Sequence, residues 1–457
     1  MPMRRPWHVG PSQRASVITV LPLIALAYSF LFLPIEVKAN FAGFNIYSFR
    51  AAILLLAIPA VNRWVRDQPT FGLADILVLV SCLWTMLAFT YRDGFGNGFV
   101  RSAAIFIDTF GAYLIARTSI RSFNDVRVFL ILLIPGLAFA GGFFALESVS
   151  GRLLVRPTFA SLFGAAVNYE GGVAQGALHL LTERRLGLLR AYSTFSYPIL
   201  GGTILASLLP VYLKSGLRGW PLVAGAMACA LSFFSVSSAA IVGIAMGLGL
   251  IFFDKILPSM RPFNWYFVLG IAGAYGLVVN FLLESGVVGV IGRFTLNPST
   301  AYIRRLQWDY GLQSIEKHPV FGIGFSEYVR ADWMTSAIDA HFLFIGIRDG
   351  LITPLALLAA FVVIMATIGK RSRFLARHDR DLLIGINFML AVLLFASMTV
   401  TYFSEANIWF MMALGLAASC AHAHRRVRMP APPMRPQVRP SANAVPHPPG
   451  QAERPQP

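Results

Sequence analysis

Charged residues are scarce in this sequence: they make up 13% of the 457 residues, whereas 56% are hydrophobic. A soluble domain carries about a quarter charged residues, so the composition excludes a single water-soluble fold. Acidic residues are the scarcer sign, with 21 Asp and Glu against 38 Lys and Arg. They form no acid-rich cluster of the kind that holds divalent cations. The simpler expectation is therefore that any chemistry this protein performs needs no metal or cofactor.

Cysteine is nearly absent as well. Each of the three, Cys82, Cys229 and Cys420, lies inside an apolar run, and they predict neither a disulfide framework nor a metal site. The apolar run that follows the basic amino terminus lacks a small-residue cleavage site, so we interpret it as a retained span rather than a signal peptide.

What the chain has in abundance is apolar runs of about 20 residues, the length of a helix that crosses a bilayer. We predict an all-α fold, a polytopic membrane bundle of about twelve transmembrane helices with a large helical loop outside the membrane. The runs lie at 16–35, 46–65, 73–91, 99–116, 127–147, 193–213, 220–235, 238–253, 264–283, 351–369, 382–401 and 404–421.

The distribution of Lys and Arg predicts the topology. With residues 1–15 as a cytoplasmic amino terminus, the short loops on the same side hold most of the cations, as the positive-inside rule requires. The transmembrane domain then covers 16–421 and leaves two long outer loops, 148–190 and 284–350. The Pro- and Arg-rich stretch 422–457 predicts a disordered cytoplasmic tail near anionic lipid. The net charge of +17 therefore indicates membrane lipids as partners, and not nucleic acid.

The loop 284–350 is dense in cations and turn glycines. Its residues from Tyr302 to Lys317 predict a helix that Pro319 ends. On that helix Arg305 and Asp309 stand at i,i+4 spacing, so an ion pair and a ligand-binding role for Arg305 are both open.

Gly322 and Gly324 predict a tight turn after that helix. His341 is expected to begin a short helix that breaks at Gly350, with Arg348 two turns further along the same face. A lone histidine is more often structural than catalytic.

Several ionisable residues stand in or beside the predicted spans. Asp108 falls near the middle of the membrane, where a functional role is the default hypothesis. Arg101 is two turns away on the same face, so a structural ion pair is equally open. Arg50 falls near the outer end of the second span and could line a cavity for a lipid phosphate.

Several motifs, in this order and spacing, resemble the O-antigen ligase and polysaccharide polymerase superfamily. They are Glu147 with Gly151, Arg190-Ala191-Tyr192-Ser193-Thr194-Phe195 with Pro198, Arg304 with Trp308, His318-Pro319-Val320-Phe321-Gly322-Ile323-Gly324, Ala340-His341 and Gly350-Leu351-Ile352. The sequence departs from the family at three places. It has Ser237-Ser238-Ala239 where an arginine is common, Phe342 where asparagine is common, and Arg348 where an acidic residue is usual.

The resemblance implies glycosyl transfer at the periplasmic face of a bacterial inner membrane. An acceptor hydroxyl would attack the anomeric carbon of a glycan carried on undecaprenyl diphosphate. The leaving diphosphate gathers negative charge and needs cations, which arginine supplies with bidentate geometry. Arg190 and Arg304 are the first candidates for diphosphate binding, and His341 is the candidate base. Further candidates for the diphosphate are Arg305, Arg348 and Arg50.

The resemblance leaves three functions open. We favour a polymerase for exopolysaccharide or O-antigen, because the large outer loop is short for a ligase that transfers finished polymer to a lipid A core. The third function is a transporter or flippase of lipid-linked sugars. Transporters tend to show repeated halves and polar groups at mid-membrane, whereas the cations here lie in two unequal outer loops. A flippase and a chain-length regulator of the same pathway are expected partners.

Overall fold

The computed structural model describes residues 11–422 apart from 42–43, 68–70, 171–172, 178–179, 181 and 257–297. The chain divides into two units, Met1–Ala423 and His424–Pro457. The expected cytoplasmic amino terminus up to residue 10, the span at 264–283, the start of the second outer loop at 284–297 and the tail from residue 423 lie outside the described residues.

The described part of the chain is almost entirely helical. Its α-helices are α1 (Pro11–Leu31), α2 (Ser48–Asp67), α3 (Leu73–Asp93), α4 (Val100–Ser119), α5 (Phe123–Ser150), α6 (Val155–Phe163), α7 (Pro198–Lys214), α8 (Trp220–Ala230), α9 (Ser238–Ile256), α10 (Pro298–Lys317), α11 (His341–Asp349), α12 (Ile352–Ser372), α13 (Arg377–Ala396) and α14 (Ser404–His422).

Strands occur only as short antiparallel hairpins in the described loops. They pair β1 (Lys38–Phe41) with β2 (Phe44–Tyr47), β3 (Val167–Glu170) with β4 (Val173–Ala177), and β5 (Arg184–Arg185) with β6 (Leu188–Leu189).

Five helical stretches in the described residues are long and apolar enough to cross a membrane: Ser48–Arg66, Leu73–Ser119, Phe123–Ser150, Ser238–Ile256 and Ile352–Ser372. The second is 47 residues long and holds α3 and α4, joined through the π-helical turn Gly94–Phe99. The prediction of an all-α membrane protein is confirmed. All the predicted apolar runs that fall on described residues overlap helices, and the number of membrane crossings stays a prediction.

Helix α14 lies at the centre of the bundle, buried on nearly every side, as expected for a helix that is apolar all round. It packs against α4, α12, α13 and α7. The closest approach is at Gly415, where an added Cβ would collide with the backbone of Tyr113 on α4. This close packing explains why a glycine, despite its cost to the helix, occupies that position.

The loops collect at the two ends of the bundle. At one end Arg117 bonds the Asp75 carboxylate at 2.9 Å, with both side chains buried. At the other, which we call the site end, the loop after α1 meets α6, the end of α3 meets the residues that follow α10, and the loop after α13 meets α11.

The local structure of the second outer loop follows the sequence prediction. Helix α10 ends at Lys317, just before Pro319. Gly322 and Gly324 adopt positive φ angles of 57° and 64°. Helix α11 begins at His341 and ends before Gly350, which has φ 82°.

Of the roles left open for Asp108, the structure shows an ion pair, formed with a residue on another helix. The partner of Asp108 is Arg50 on α2, whose Nε lies 3.0 Å from the Asp108 Oδ1. The guanidinium of Arg101 instead lies over the ring of Phe325, 5.0 Å from its centroid.

Candidate functional site

The backbone between Arg190 and the start of α7 is irregular yet buried, and one carboxylate at the end of α5 holds it. Glu147, which is fully buried, accepts hydrogen bonds through Oε2 from the backbone N–H groups of Tyr192 at 3.0 Å and Ser193 at 2.9 Å. Its Oε1 accepts two more from Leu154 at 2.9 Å and Val155 at 3.0 Å. The four donors satisfy a buried charge that would otherwise be costly.

A second carboxylate holds the same segment further along. Glu405, near the start of α14, accepts from the Ser196 backbone N–H at 2.5 Å and from its hydroxyl at 2.8 Å. Arg156 donates to the Ser196 carbonyl at 2.8 Å and pairs with Glu36 at 2.5 Å. We call residues 190–197 the anchored segment, because buried ionic groups from α5, α6 and α14 fix its backbone.

Arg190 opens the anchored segment and pairs with a residue that the sequence did not single out. Its Nη1 donates to Glu183 Oε2 at 2.5 Å, and Arg185 Nε donates to Glu183 Oε1 at 2.7 Å. The backbone N–H of Arg190 also donates to the Glu183 carbonyl at 2.9 Å. Burial raises the pKa of Glu183, but hydrogen bonds from Arg190 and Arg185 outweigh it and leave the pKa below its usual value.

A two-residue turn brings Glu183 and Arg190 together. Leu186 and Gly187 both have positive φ, at 52° and 77°, the backbone of the tight turns that suit a hairpin. Strands β5 and β6 pair across this turn, so Glu183 and Arg190 face each other at the open end of the hairpin.

Arg304 approaches the same arginines from α10. Its side chain is buried, with 8% of the residue exposed. Burial lowers the pKa of Arg304; the carboxyl group of Asp339 acts in the opposite direction, and the like charges of Arg185 and Arg190 lower the pKa further. The two outer loops thus bring Arg185, Arg190 and Arg304 within electrostatic reach of one another. We call these three residues the arginine cluster.

Asp339 is held beside α10 by Gln307, one turn after Arg304. The Gln307 Nε2 donates to the Ala337 carbonyl at 2.8 Å, and its Oε1 accepts from the Asp339 backbone N–H at 3.1 Å. Burial raises the pKa of Asp339, against the opposing charge of Arg304. Gln307 therefore fixes the distance between this carboxyl group and the arginine cluster.

The arginine cluster has hydrogen-bonding capacity left over. The Nε atoms of Arg190 and Arg304 are buried and have no partner among the described residues. A buried donor without a partner costs about 1–3 kcal/mol, so native structures seldom leave one unexplained. Two such donors on neighbouring guanidinium groups indicate a site for an anion.

His341 lies at the start of α11, two residues after Asp339, and is only 4% exposed. Its ring centroid is 5.2 Å from those of Tyr402 and Phe410. Its Nδ1 is buried without a partner among the described residues, while its backbone N–H donates to the Ser397 carbonyl at 2.8 Å. Burial lowers the pKa of His341 to about 3, so the imidazole is neutral at physiological pH.

Two candidate arginines are engaged elsewhere. Arg348 donates through Nη1 to the carbonyls of Gly324 at 2.9 Å and Ser326 at 2.6 Å, and Arg50 pairs with Asp108. Arg305 is half-buried on α10, next to Arg304. The structure therefore brings Arg190 and Arg304 together and gives Arg348 and Arg50 intramolecular partners.

The turn 318–325 connects the second outer loop to α3. The ring of Phe321 stacks on Trp84, with centroids 5.3 Å apart, and Trp84 Nε1 donates to the Val320 carbonyl at 3.1 Å. The Phe325 backbone N–H donates to Asp93 Oδ2 at 3.1 Å. These contacts give the motif around Gly322 and Gly324 a supporting role.

Sequence reasoning did not identify Glu183, Arg185, Asp339 or Asp349 as site residues. Gly187 was the available sign of a turn between Glu183 and Arg190, although the turn lacks the Asn-Gly or Asp-Gly pair that is typical of a hairpin. Asp349 is buried at the end of α11, and its Oδ2 accepts from Thr85 at 2.6 Å. Burial raises the pKa of Asp349 to about 7, although hydrogen bonds from Thr85 and Thr353 act in the opposite direction.

Neither a protein-family model nor a curated protein matches this chain. Within the described residues, no group of three or more His, Cys, Asp or Glu side chains is placed to hold a metal ion. The reaction without metal or cofactor stays a prediction. The fold defines an all-helical membrane protein, and the arginine cluster defines its candidate anion site.

Proposed function

We propose that this protein is a membrane glycosyltransferase that joins glycan units carried on undecaprenyl diphosphate, as a polymerase of exopolysaccharide or O-antigen. The observation that carries the proposal is the arginine cluster, in which Arg190 and Arg304 come from different loops and each has a buried Nε without a partner among the described residues. The motif resemblance supplies the substrate class.

The arginine cluster suits the leaving group of this reaction. As the bond between the anomeric carbon and the phosphate oxygen breaks, the diphosphate leaves with the electron pair and its negative charge grows. Fixed cations stabilise that charge without reorganisation, and guanidinium groups stay protonated while they bind phosphate oxygens. Arg190 and Arg304 are the proposed diphosphate ligands, with Arg305 beside them.

His341 is the proposed base. The acceptor hydroxyl forms the new bond to the anomeric carbon, and its proton passes to the imidazole, which must be neutral to receive it. Burial keeps the imidazole neutral by lowering its pKa, at the cost of basicity. An anionic donor bound nearby would raise the pKa of His341, because a negative charge favours the protonated form.

The proposed setting is a bacterial inner membrane crossed about twelve times, with the site end facing the periplasm. The electrostatic interaction of Arg190 with Arg304 supports this arrangement, because these arginines belong to the two loops, 148–190 and 284–350, that are expected on one side. The basic loops expected on the other side also meet, as in the pair of Arg127 with Asp379 at 2.7 Å.

A ligase that transfers finished polymer to a lipid acceptor would use the same cluster and is the second candidate. A flippase is the alternative without chemistry. Purified protein in micelles, given a lipid-linked glycan, separates them. Longer glycan indicates a polymerase and a new linkage to a lipid core indicates a ligase. Unchanged glycan that crosses a liposome bilayer would overturn the transferase proposal.

A further inference from the structure

Glu183 occupies the place where an anionic ligand would meet the arginine cluster. Its two oxygens are used on different arginines, at 2.5 Å from Arg190 Nη1 and 2.7 Å from Arg185 Nε. The Glu183 side chain is 39% exposed, whereas those of Arg190 and Arg185 are 17% and 20% exposed. The carboxylate thus covers two guanidinium groups from the solvent side.

One carboxylate does not satisfy the cluster. Both Glu183 oxygens are engaged, yet the Nε atoms of Arg190 and Arg304 remain buried and unpartnered within the described residues. In the same part of the chain, the three guanidinium charges interact with two carboxyl groups, those of Glu183 and Asp339. A ligand with more charged oxygens than a carboxylate would satisfy donors that Glu183 leaves unpaired.

We propose that Glu183 determines the headgroup specificity of the arginine cluster: it occupies Arg185 and Arg190, so a phosphate monoester must displace it to bind, whereas a diphosphate can also bind through the donors that Glu183 leaves unpaired. The inference rests on the proposed function, since it concerns the same site. It adds a residue that competes with the substrate rather than one that binds it.

The selectivity follows from competition with a tethered anion. Glu183 is held across a two-residue turn, so its effective concentration at Arg190 is high. A phosphate monoester that makes the same two contacts as the Glu183 carboxylate gains little binding free energy by displacing it. A diphosphate also binds through the unpartnered Nε donors, so part of its affinity does not depend on displacing Glu183. Charge-assisted hydrogen bonds to guanidinium are among the strongest available.

A different role for Glu183 predicts the opposite result. If its carboxylate served to position Arg190, its removal would weaken the binding of every anion. If it competes, its removal strengthens binding, and more for the monophosphate, whose contacts are the ones that Glu183 occupies. The sign of the change in affinity therefore separates the two roles.

The experiment measures the binding of farnesyl diphosphate and farnesyl phosphate to the full-length protein in detergent micelles. The wild type should prefer the diphosphate. Glu183→Gln should bind the monophosphate about tenfold more tightly, the scale of a charged hydrogen bond, with a smaller gain for the diphosphate. Glu183→Ala provides a second variant should the glutamine disturb the hairpin. Glu327→Gln is the matched control, because Glu327 pairs with Arg330 and is 71% exposed.

Weaker binding of both ligands, or an unchanged preference for diphosphate, would overturn the role of Glu183. Arg190→Gln and Arg304→Gln show which proposal has failed. If they lose diphosphate binding while Glu183→Gln keeps the wild-type preference, only the specificity proposal falls. If they bind farnesyl diphosphate as the wild type does, the anion site of the proposed function falls, and the role of Glu183 with it.

Discussion

Glu147 at the end of α5 accepts a hydrogen bond from the backbone N–H of Tyr192 at 3.0 Å, two residues after Arg190. The same oxygen accepts from Ser193, and the other oxygen accepts from two more backbone groups. Glu147 therefore sets the path of the backbone that carries Arg190, without itself lying among the arginines.

Glu147→Gln should lower kcat/KM for a lipid-linked glycan by about tenfold or more, because an amide NH₂ would face two backbone N–H donors and leave them unsatisfied. The thermal midpoint should fall as well. Glycan extension and thermal unfolding, measured on the same preparation, test the prediction, with Glu327→Gln as the exposed control. Full activity in Glu147→Gln would show that the anchored segment does not need this carboxylate.

Arg304 and Arg348 should respond differently to the same substitution. Arg304→Lys should reduce kcat/KM by about tenfold to a hundredfold, because an ammonium group cannot reproduce bidentate contacts to phosphate oxygens. Arg348→Lys should instead lower the thermal midpoint by a few degrees, because the Arg348 guanidinium holds the carbonyls of Gly324 and Ser326. A large loss of kcat/KM in a stable Arg348→Lys variant would show that Arg348 takes part in diphosphate binding.

The helices and their ends could be predicted because their causes are local. Apolar length specifies a helix suited to a membrane, Pro319 ends α10, and Gly350 ends α11 in a conformation that glycine adopts easily. Pairings between elements depend on how helices rotate and pack, which spacing along one helix does not reveal. Asp108 therefore pairs with Arg50 of α2 rather than with Arg101 of its own helix.

The arginine cluster could be predicted only in part for the same reason. Motifs identified Arg190 and Arg304, but Glu183 faces Arg190 through the turn at Leu186-Gly187, which lacks the Asn-Gly or Asp-Gly signal of such turns. The anchored segment depends on Glu405 from α14, more than two hundred residues away along the chain. No pattern within either stretch indicates that contact.

The pH dependence of catalysis should reflect the burial of His341. A pKa of about 3 leaves the imidazole of the free enzyme deprotonated and competent above roughly pH 4, and activity is lost only as the pH falls towards 3. Since kcat/KM reports the free enzyme, its profile should lack an acid limb near the ordinary histidine pKa. His341→Ala should abolish product while the protein still folds. An acid limb at about pH 6.5 that persists in Asp349→Asn would contradict this environment for His341.

The burial of Asp349 predicts that the folded protein becomes less stable as the pH rises. A carboxylate in an ion pair has the opposite effect, because its protein becomes less stable as the pH falls. The pKa of Asp349 rises from 3.8 to about 7 through burial, so between these values the folded protein holds a proton that the unfolded chain has released. Its stabilising contribution is full below about pH 4 and is lost as the pH rises through about 7. The shift corresponds to roughly 4 kcal/mol.

Asp349→Asn removes this titration and keeps an amide that can bond Thr85 and Thr353, as the protonated acid does. The variant should exceed the wild type in thermal midpoint by a small margin at pH 5 and by several degrees more at pH 8, because the wild type then carries a buried charge that the variant lacks. Thermal unfolding in the same detergent at both pH values measures the difference. An equal gap between the two proteins at pH 5 and pH 8 would mean that Asp349 stays ionised throughout, held by Thr85 and the neighbouring charge of Arg348.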